Sequence, residues 1–416
     1  MRSFGVVRRI APTEEQQAQL GRSLGACRFA QNALLAMVKK SLETGTQMSW
    51  TSISLHTTWR RIRDEQAPWY AQVSKECFQY GAERASLALA NWNASKNGKR
   101  VGRKVGFPRF RKRGSNDSVK FTAAKLRDCG TLIHLPRVGE VHLAEGFQLA
   151  DGQRVTSVTV RCVAGRWFAT LLVREEIWTE PVKRAGSTIG VDFGVGDRFA
   201  TLSDGLIIDN PRFLRAGVKR LARAQQALTR KQKGSANRRK ARLRVARVHY
   251  QIGCRRQDFV HKFTTALSKT HARIVVEDLN LVGMSNQAGF KLGKSVHDAA
   301  LSEARRQLEY KTSWYGSELI VADRWFPSSK TYHVCQAINT GLKLSDRSWE
   351  CLCGATHDRD LNAAINLSLL AGSSPVSACG DDVRPGLALA IVCEAGNDAV
   401  LFGLVHERLS RRGVGI

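Results

Sequence analysis

Apolar and polar residues alternate from Phe4 to Ile10, which predicts a strand. Pro12 and Thr13 ahead of Glu14 and Glu15 form a helix start. Apolar residues then recur at Leu20, Leu24, Cys27, Phe29, Leu34 and Leu35, the spacing of one or two amphipathic helices ending near residue 43. A further helical stretch runs from about 70 to 93, with Tyr70, Val73, Cys77, Tyr80 and Leu87 as its buried face. From about 117 to 177 the period returns to two. VHLAEGFQLA, TSVTVRCV and RWFATLLVRE read as short strands of a small β unit of barrel-like form. Residues 181 to 187, with a proline and a glycine, make a joint.

Beyond the joint the elements alternate. STIGVDFGVGDRFATLSDG reads as a strand, a glycine turn and a second strand. Leu214, Leu221, Leu228, Leu243 and Val248 give long helices with one apolar side, broken near Gly234 and Ser235. ARIVVEDLNL is a buried strand, 297–315 a helix, ELIVAD a strand and DRDLNAAINLSLLAG a helix. Strands alternating with helices predict an α/β layer here. The residues after Gly372 show no pattern, and no repeat of 20–50 residues is present. GFKLGKS at 289–295 has three residues between its outer glycines rather than a P-loop's four, so it reads as a basic loop.

Charge changes the picture. The chain has 416 residues, with 65 Lys+Arg against 36 Asp+Glu, a formal +29. Length favours more than one domain, and the charge calls for a polyanionic partner. Residues 96–113 hold nine Lys or Arg and no acid, with Phe107 and Phe110 between them. Gly98, Gly102, Gly106 and Pro108 there forbid a regular helix. Such a loop suits phosphates and unstacked bases. Residues 212–256 carry 16 Lys/Arg and again no acid, a basic helical hairpin. The apolar run Gly386 to Cys393 is far shorter than the roughly 20 residues a bilayer demands, and charges interrupt the first residues. A soluble intracellular protein without a membrane partner is expected. Ten irregularly spaced cysteines do not suggest a disulfide scaffold.

Three acids draw attention. Asp192 lies near the end of an apolar strand, Glu277 ends RIVVE, and Asp360 opens the helix after HDR. Singly they are a turn residue, a buried acid in need of a cation, and a helix-dipole charge. Together, two strand ends and a helix start can converge at one edge of an α/β sheet. Three carboxylates there repel one another unless divalent cations lie between them. Two Mg²⁺ ions about 3.5–4 Å apart suit phosphodiester hydrolysis.

IGVDFGVGDRFATLSDG, IVVEDLNL and HDRDLNAAINL resemble, in order and spacing, the three acidic motifs of RuvC-like nuclease domains in TnpB proteins. These are the transposon-encoded OrfB proteins related to type V CRISPR effectors. GFPRFRKR, the basic segment KRLARAQQALTRKQKGSANRRKARLRVARVH, RQLEYKTSWYG and FPSSKT also resemble TnpB, so the likeness spans roughly residues 1–385. Carried over by position, Asp192, Glu277 and Asp360 match the catalytic acids, and Asp358 does not. The resemblance implies an α+β multidomain chain. Residues 1–180 would form a β-barrel-like wedge and recognition region with a helical insertion. Residues 186–371 would form a RuvC-like (RNase H-like) α/β nuclease domain with an inserted zinc-ribbon-like segment at 328–357, and 372–416 a tail. It further implies an RNA-guided DNA endonuclease of an insertion sequence, acting in the prokaryotic cytoplasm at the nucleoid, as a monomer, on guide RNA and double-stranded target DNA. Lys99, Arg100, Arg103, Lys104, Arg109, Arg111, Lys112 and Arg113 of the loop would line the nucleic-acid path. So would Lys219, Arg220, Arg230, Lys231, Arg238, Arg239 and Lys240 of the hairpin.

The family's zinc ribbon has two cysteine pairs. Here Cys351 and Cys353 form the second pair, while Tyr332 stands at the first position and only Cys335 remains. Structural zinc wants four ligands, so a zinc site would need His333 or His357, and a metal-free ribbon is expected. The tail GLALAIVCEAGNDAVLFGLVHERLSRRGVGI also departs from the family's polar end. Two other readings stay open: a nuclease-inactive RNA-guided DNA-binding repressor, and a transposase that joins strands. A passive RNA binder would leave the strand-end acids without purpose.

Overall fold

The computed structural model describes residues 2–100, 102–114, 117–176, 181, 185–286, 293–343, 346–351, 353, 354, 356–371 and 391–392. They form two compact units, one reaching from the N-terminus to residue 176 together with 391–392, the other from 181 to 371. GFKLGKS and the tail fall largely outside the described residues.

In the first unit, β1 (Arg2–Ala11) leads to three helices, α1 (Glu14–Glu43), α2 (Ser52–Gln66) and α3 (Lys75–Lys96). Thr13 caps α1 reciprocally: its hydroxyl accepts from the Gln16 amide, and the Gln16 side chain accepts from the Thr13 amide. The expected one or two helices are a single 30-residue helix here. Sequence reading missed α2, because only Leu55 and Trp59 of its residues are buried, Ile53 is exposed and most of the rest is polar. Leu87, expected inside, is 66% exposed, and Ala85 and Leu89 turn inward instead. The strands are β2 (Ser118–Phe121), β3 (Lys125–Arg127), β4 (Leu132–Leu135), β5 (Gly139–Leu143), β6 (Gln153–Val163) and β7 (Arg166–Glu175). Their order is β2-β6-β7-β1-β5-β4-β3. Among the described residues the end strands β2 and β3 do not pair, so this is an open sheet rather than a closed barrel. Closure depends on pairing between distant segments, which local alternation does not encode.

The second unit is built on a five-stranded sheet of order β10-β9-β8-β11-β12. Its strands are β8 (Thr188–Phe193), β9 (Arg198–Leu202), β10 (Ile207–Asp209), β11 (Arg273–Glu277) and β12 (Glu318–Ala322). Here β8, β11 and β12 run parallel, while β9 pairs antiparallel with β8 and β10 antiparallel with β9. Between β10 and β11 lies the basic hairpin of α4 (Phe213–Thr229) and α5 (Ala236–Thr270), closed by Leu221, Val248 and Ile252. After it come α6 (Leu281–Asn286), α7 (Gly293–Ala299), α8 (Leu301–Tyr315), a two-stranded ribbon of β13 (Ser348–Glu350) and β14 (Thr356–Asp358), and α9 (Arg359–Leu370).

Period-two alternation sorts the sheet's two faces. Ile189, Val191, Ile274 and Val276 pack with Val260, Phe263 and Leu267 of α5 and Leu301 and Leu308 of α8. Val275 lies on the other face, against Leu367 of α9. Helices therefore cover both faces, as a parallel sheet requires.

Candidate active site

Val191 of β8 and Val276 of β11 are register partners on adjacent parallel strands. The next residue on each strand is an acid, so Asp192 and Glu277 stand side by side at the strands' carboxyl ends, where open α/β sheets bind ligands. By alternation Asp192 shares the face of Gly190, and Glu277 that of Val275, which is the α9 side. Gly190 lets α9 come close: a β-carbon there would meet the Ala364 carbonyl oxygen at 1.9 Å. Asp360 lies one turn above Ala364 on that helix. Contact at Gly190 thus delivers the third acid over Asp192.

The electrostatics report the convergence. Burial raises the Asp192 carboxyl well above its ordinary value, and the charges of Glu277 and Asp360 push it further, against an opposing pull from Arg359. Burial also raises Glu277, although a hydrogen bond from the Ser328 hydroxyl and the charge of Arg359 favour its anion. The three sets of carboxylate oxygens do not all lie within 4.8 Å of one another, unlike the cysteine group described below. Crowded, desolvated carboxylates are hard oxygen donors and fit Mg²⁺.

Asp358, and several residues that sequence reasoning did not single out, hold these acids. The Asp358 side chain caps α9, accepting from the amides of Asp360 at 3.0 Å and Leu361 at 3.1 Å. It also accepts from Arg198 Nη1 at 2.8 Å, and the same nitrogen reaches Asp360 Oδ2 at 3.2 Å. Asn366, buried in α9, donates to the Ser328 carbonyl at 2.8 Å, and Ser328 in turn donates to Glu277. Asp278, beside Glu277, pairs with Arg305 of α8 and with Arg324. The Arg305 bond, foremost, holds its carboxyl below the usual range. The signals were visible as two asparagines on a helix and an acid pair, but their partners are distant in sequence.

The expected basic loop is anchored. Asn32 donates to the Arg111 carbonyl at 3.0 Å and accepts from its amide at 2.8 Å, and Phe107 packs edge-on against Trp92 at 5.2 Å. Phe107 is thus a support, while Phe110, 51% exposed, remains free to stack. Lys99, Arg100, Arg103, Lys104, Arg109, Lys112 and Arg113 are exposed around it. On the hairpin, Lys219, Arg220, Arg230, Lys231, Arg239 and Lys240 are exposed, with Arg220 bonded to Gln251. Arg238 is half-buried, and its Nη1 donates to the carbonyls of Leu228 and Lys231 at 3.1 and 2.7 Å, closing the hairpin turn.

Cys335, Cys351 and Cys353 place their sulfurs within 4.8 Å of one another, Cys335 and Cys351 at 3.4 Å. Hydrogen bonding from the Ala337 backbone lowers the Cys335 pKa from its ordinary value. His333 Nδ1 is engaged with Asn362 Oδ1 at 2.9 Å and does not join the group. The His357 side chain lies outside those described. Tyr332 is fully buried edge-on against Trp349 at 4.6 Å, and its phenol senses all three thiols. Three thiolates and no fourth ligand among the described residues fall short of a closed zinc tetrahedron.

Fold and site together define an α/β unit with carboxylates gathered at strand ends in a strongly basic chain. The OrfB_IS605 family, described as "Probable transposase", matches residues 169–288, which include Asp192 and Glu277. The "Cas12f1-like, TNB domain" family matches 302–367, which include Asp360 and the three cysteines. A "Helix-turn-helix domain" family matches 1–47, where this chain has a strand and one helix. A "Putative RNA-guided DNA endonuclease" of Streptomyces pristinaespiralis is 38% identical over 382 residues, covering 91% of each chain. "Putative RNA-guided DNA endonuclease InsQ" of Escherichia coli K12 is 31% identical over 402 residues, covering 91% of this chain and 94% of its own. A Cas12f1–sgRNA–target DNA complex aligns with a TM-score of 0.48 at 14% identity, over 85% of this chain and 82% of that one. The chain belongs to the TnpB (OrfB) family of transposon-encoded proteins. Among the described residues no helix is long and apolar enough to cross a membrane.

Proposed function

We propose that this chain is an RNA-guided DNA endonuclease with a RuvC-like nuclease unit. The observation that carries the reading is the gathering of Asp192, Glu277 and Asp360 from two parallel strand ends and a helix start. Burial, and after it the charges of Glu277 and Asp360, raise the Asp192 carboxyl. The curated relatives' names point the same way. Asp192, Glu277 and Asp360 would hold two Mg²⁺ ions, which when bound supply Lewis-acid activation of water and of the leaving oxygen. Arg198, Asp358, Ser328 and Asn366 orient the acids, and the basic loop and hairpin hold phosphates by charge. Base pairing with a guide would supply sequence selection.

The test is purification with RNA transcribed from the element's end, then incubation with a matched plasmid and Mg²⁺. Cutting is expected, and Asp192→Ala should bind without cutting. Binding without cutting by the unaltered protein would leave the repressor reading in its place. Strand joining rather than breakage would favour the transposase.

A further inference from the structure

The three-cysteine group falls one ligand short of structural zinc, and that shortfall leaves its sulfurs open to another chemistry. Cys335 Sγ and Cys351 Sγ lie 3.4 Å apart, and Cys353 Sγ is within 4.8 Å of both. Adjacent thiols that no metal ligates are oxidisable as a pair.

A closed turn holds each sulfur of the close pair. The Tyr332 amide donates to the Ala337 carbonyl and the Gln336 amide to the Tyr332 carbonyl, both at 2.8 Å. A bridge between Thr331 and Ile338 shuts the base of that turn, and Cys335 sits at its tip. On the other side Cys351 follows β13, and the Gly354 amide donates to the Cys351 carbonyl at 2.8 Å. Going from 3.4 Å to the roughly 2.0 Å of a disulfide is a small side-chain adjustment between turns already facing each other. Exposure divides the roles. Cys335 is exposed, whereas Cys351 is only 8% exposed, so an oxidant reaches Cys335 first and Cys351 stands behind it to resolve the product.

Both turns are tied to α9. The His333 amide donates to Asn362 Oδ1 at 3.1 Å, and Asn362 donates to the Thr331 carbonyl at 2.7 Å. From the other turn, β13 pairs with β14, whose last residue, Asp358, caps α9. A bond between the turns would join two supports of the helix that carries Asp360.

The geometry points to a redox modification site: hydrogen peroxide converts Cys335 and Cys351 to a reversible disulfide that staples the ribbon at the start of α9. The Cys335 thiolate attacks one peroxide oxygen. The O–O bond breaks, a sulfenic acid forms, and the other oxygen leaves as hydroxide, which takes the thiol's proton and becomes water. The Cys351 sulfur then attacks the sulfenic sulfur. The S–S bond forms, the S–O bond breaks, and a second water leaves with the Cys351 proton. Two thiols have lost two electrons to one peroxide, and a dithiol reverses the change by exchange. Cys353 stays a thiol. No cleavage chemistry is involved, so the site stands or falls apart from the nuclease reading.

The test uses the full-length protein, reduced, desalted and treated with one equivalent of hydrogen peroxide. Thiol titration should show two of the ten cysteines lost. Peptide mapping after alkylation should find Cys335 linked to Cys351, and dithiothreitol should restore both thiols. The oxidised form should melt several degrees higher than the reduced form, because the bridge restricts the unfolded chain. Cys353→Ser should form the same bridge, whereas Cys351→Ala should leave a Cys335 sulfenic acid that dimedone traps. A bridge through Cys353, oxidation elsewhere with Cys335 and Cys351 still reduced, or bound zinc that keeps all three thiols from reacting would overturn the proposal. Mapping on the unaltered protein decides it even where a variant fails to fold.

Discussion

A β-carbon on Gly190 would sit 1.9 Å from the carbonyl oxygen of Ala364, so strand β8 and helix α9 touch backbone to backbone. This contact sets the height of Asp360 above Asp192. Gly190→Ala must push α9 away, an overpacking that costs about 1–3 kcal/mol. The expected outcome is a lower Tm together with loss of DNA cleavage, while RNA binding persists. Calorimetry and a plasmid-nicking assay check it, and a variant of full activity would show that α9 does not set the site.

The raised carboxyls fix the sign of a pH effect. Burial, then Glu277 and Asp360, hold Asp192 above its unfolded value, and burial does the same for Glu277. The folded state therefore keeps a proton that the unfolded state releases. Stability from these groups is fully present below the unfolded carboxylate pKa, about 4, and is lost as pH rises through the folded value. Asp192→Asn removes the largest part of this dependence. In chelator at about pH 7.5 the variant should melt higher than the parent, and the gap should close towards pH 4. Mg²⁺ should raise the Tm of the parent and leave that of the variant nearly unmoved, since only the parent's folded state binds the ion well.

Asn366 links α9 to Glu277 through Ser328. Asn366→Ala leaves buried carbonyls at Ser328 and Thr331 without this donor, a loss of about 1–3 kcal/mol. Because Ser328 orients Glu277, cleavage should fall further than stability explains, and a higher Mg²⁺ concentration should be needed for half-maximal rate. Titrating Mg²⁺ against rate in parent and variant decides it; identical midpoints would make Asn366 a purely structural residue.

Local pattern made some of this legible. β8 and β11 are apolar runs that end in an acid, so Asp192 and Glu277 could be read at once, and HDRD before an apolar helix marked Asp360. What escaped depends on tertiary pairing. Gly190 shows its role only when Ala364 lies above it. The open sheet is assembled from segments tens of residues apart. Helix α2 hid because it buries only two side chains. Arg238 was counted with the hairpin's surface charges because nothing local signals that it caps two carbonyls.

Tyr332 is buried beside the three-cysteine group. It is buried against Trp349 and lies close enough to Cys335, Cys351 and Cys353 for their charges, after burial, to raise its phenol pKa. With three cysteine ligands and no fourth among the described residues, the purified protein should carry well under one zinc per chain. Tyr332→Cys supplies the missing thiolate beside three sulfurs already within 4.8 Å of one another. That variant should take up one zinc and melt higher with zinc than with chelator, whereas the parent should show no such difference. Elemental analysis and paired melting curves make the comparison. Stoichiometric zinc in the parent would mean that a fourth ligand from outside Cys335, Cys351 and Cys353 completes the shell, and that packing at Tyr332 is not what holds the ribbon next to Asp360.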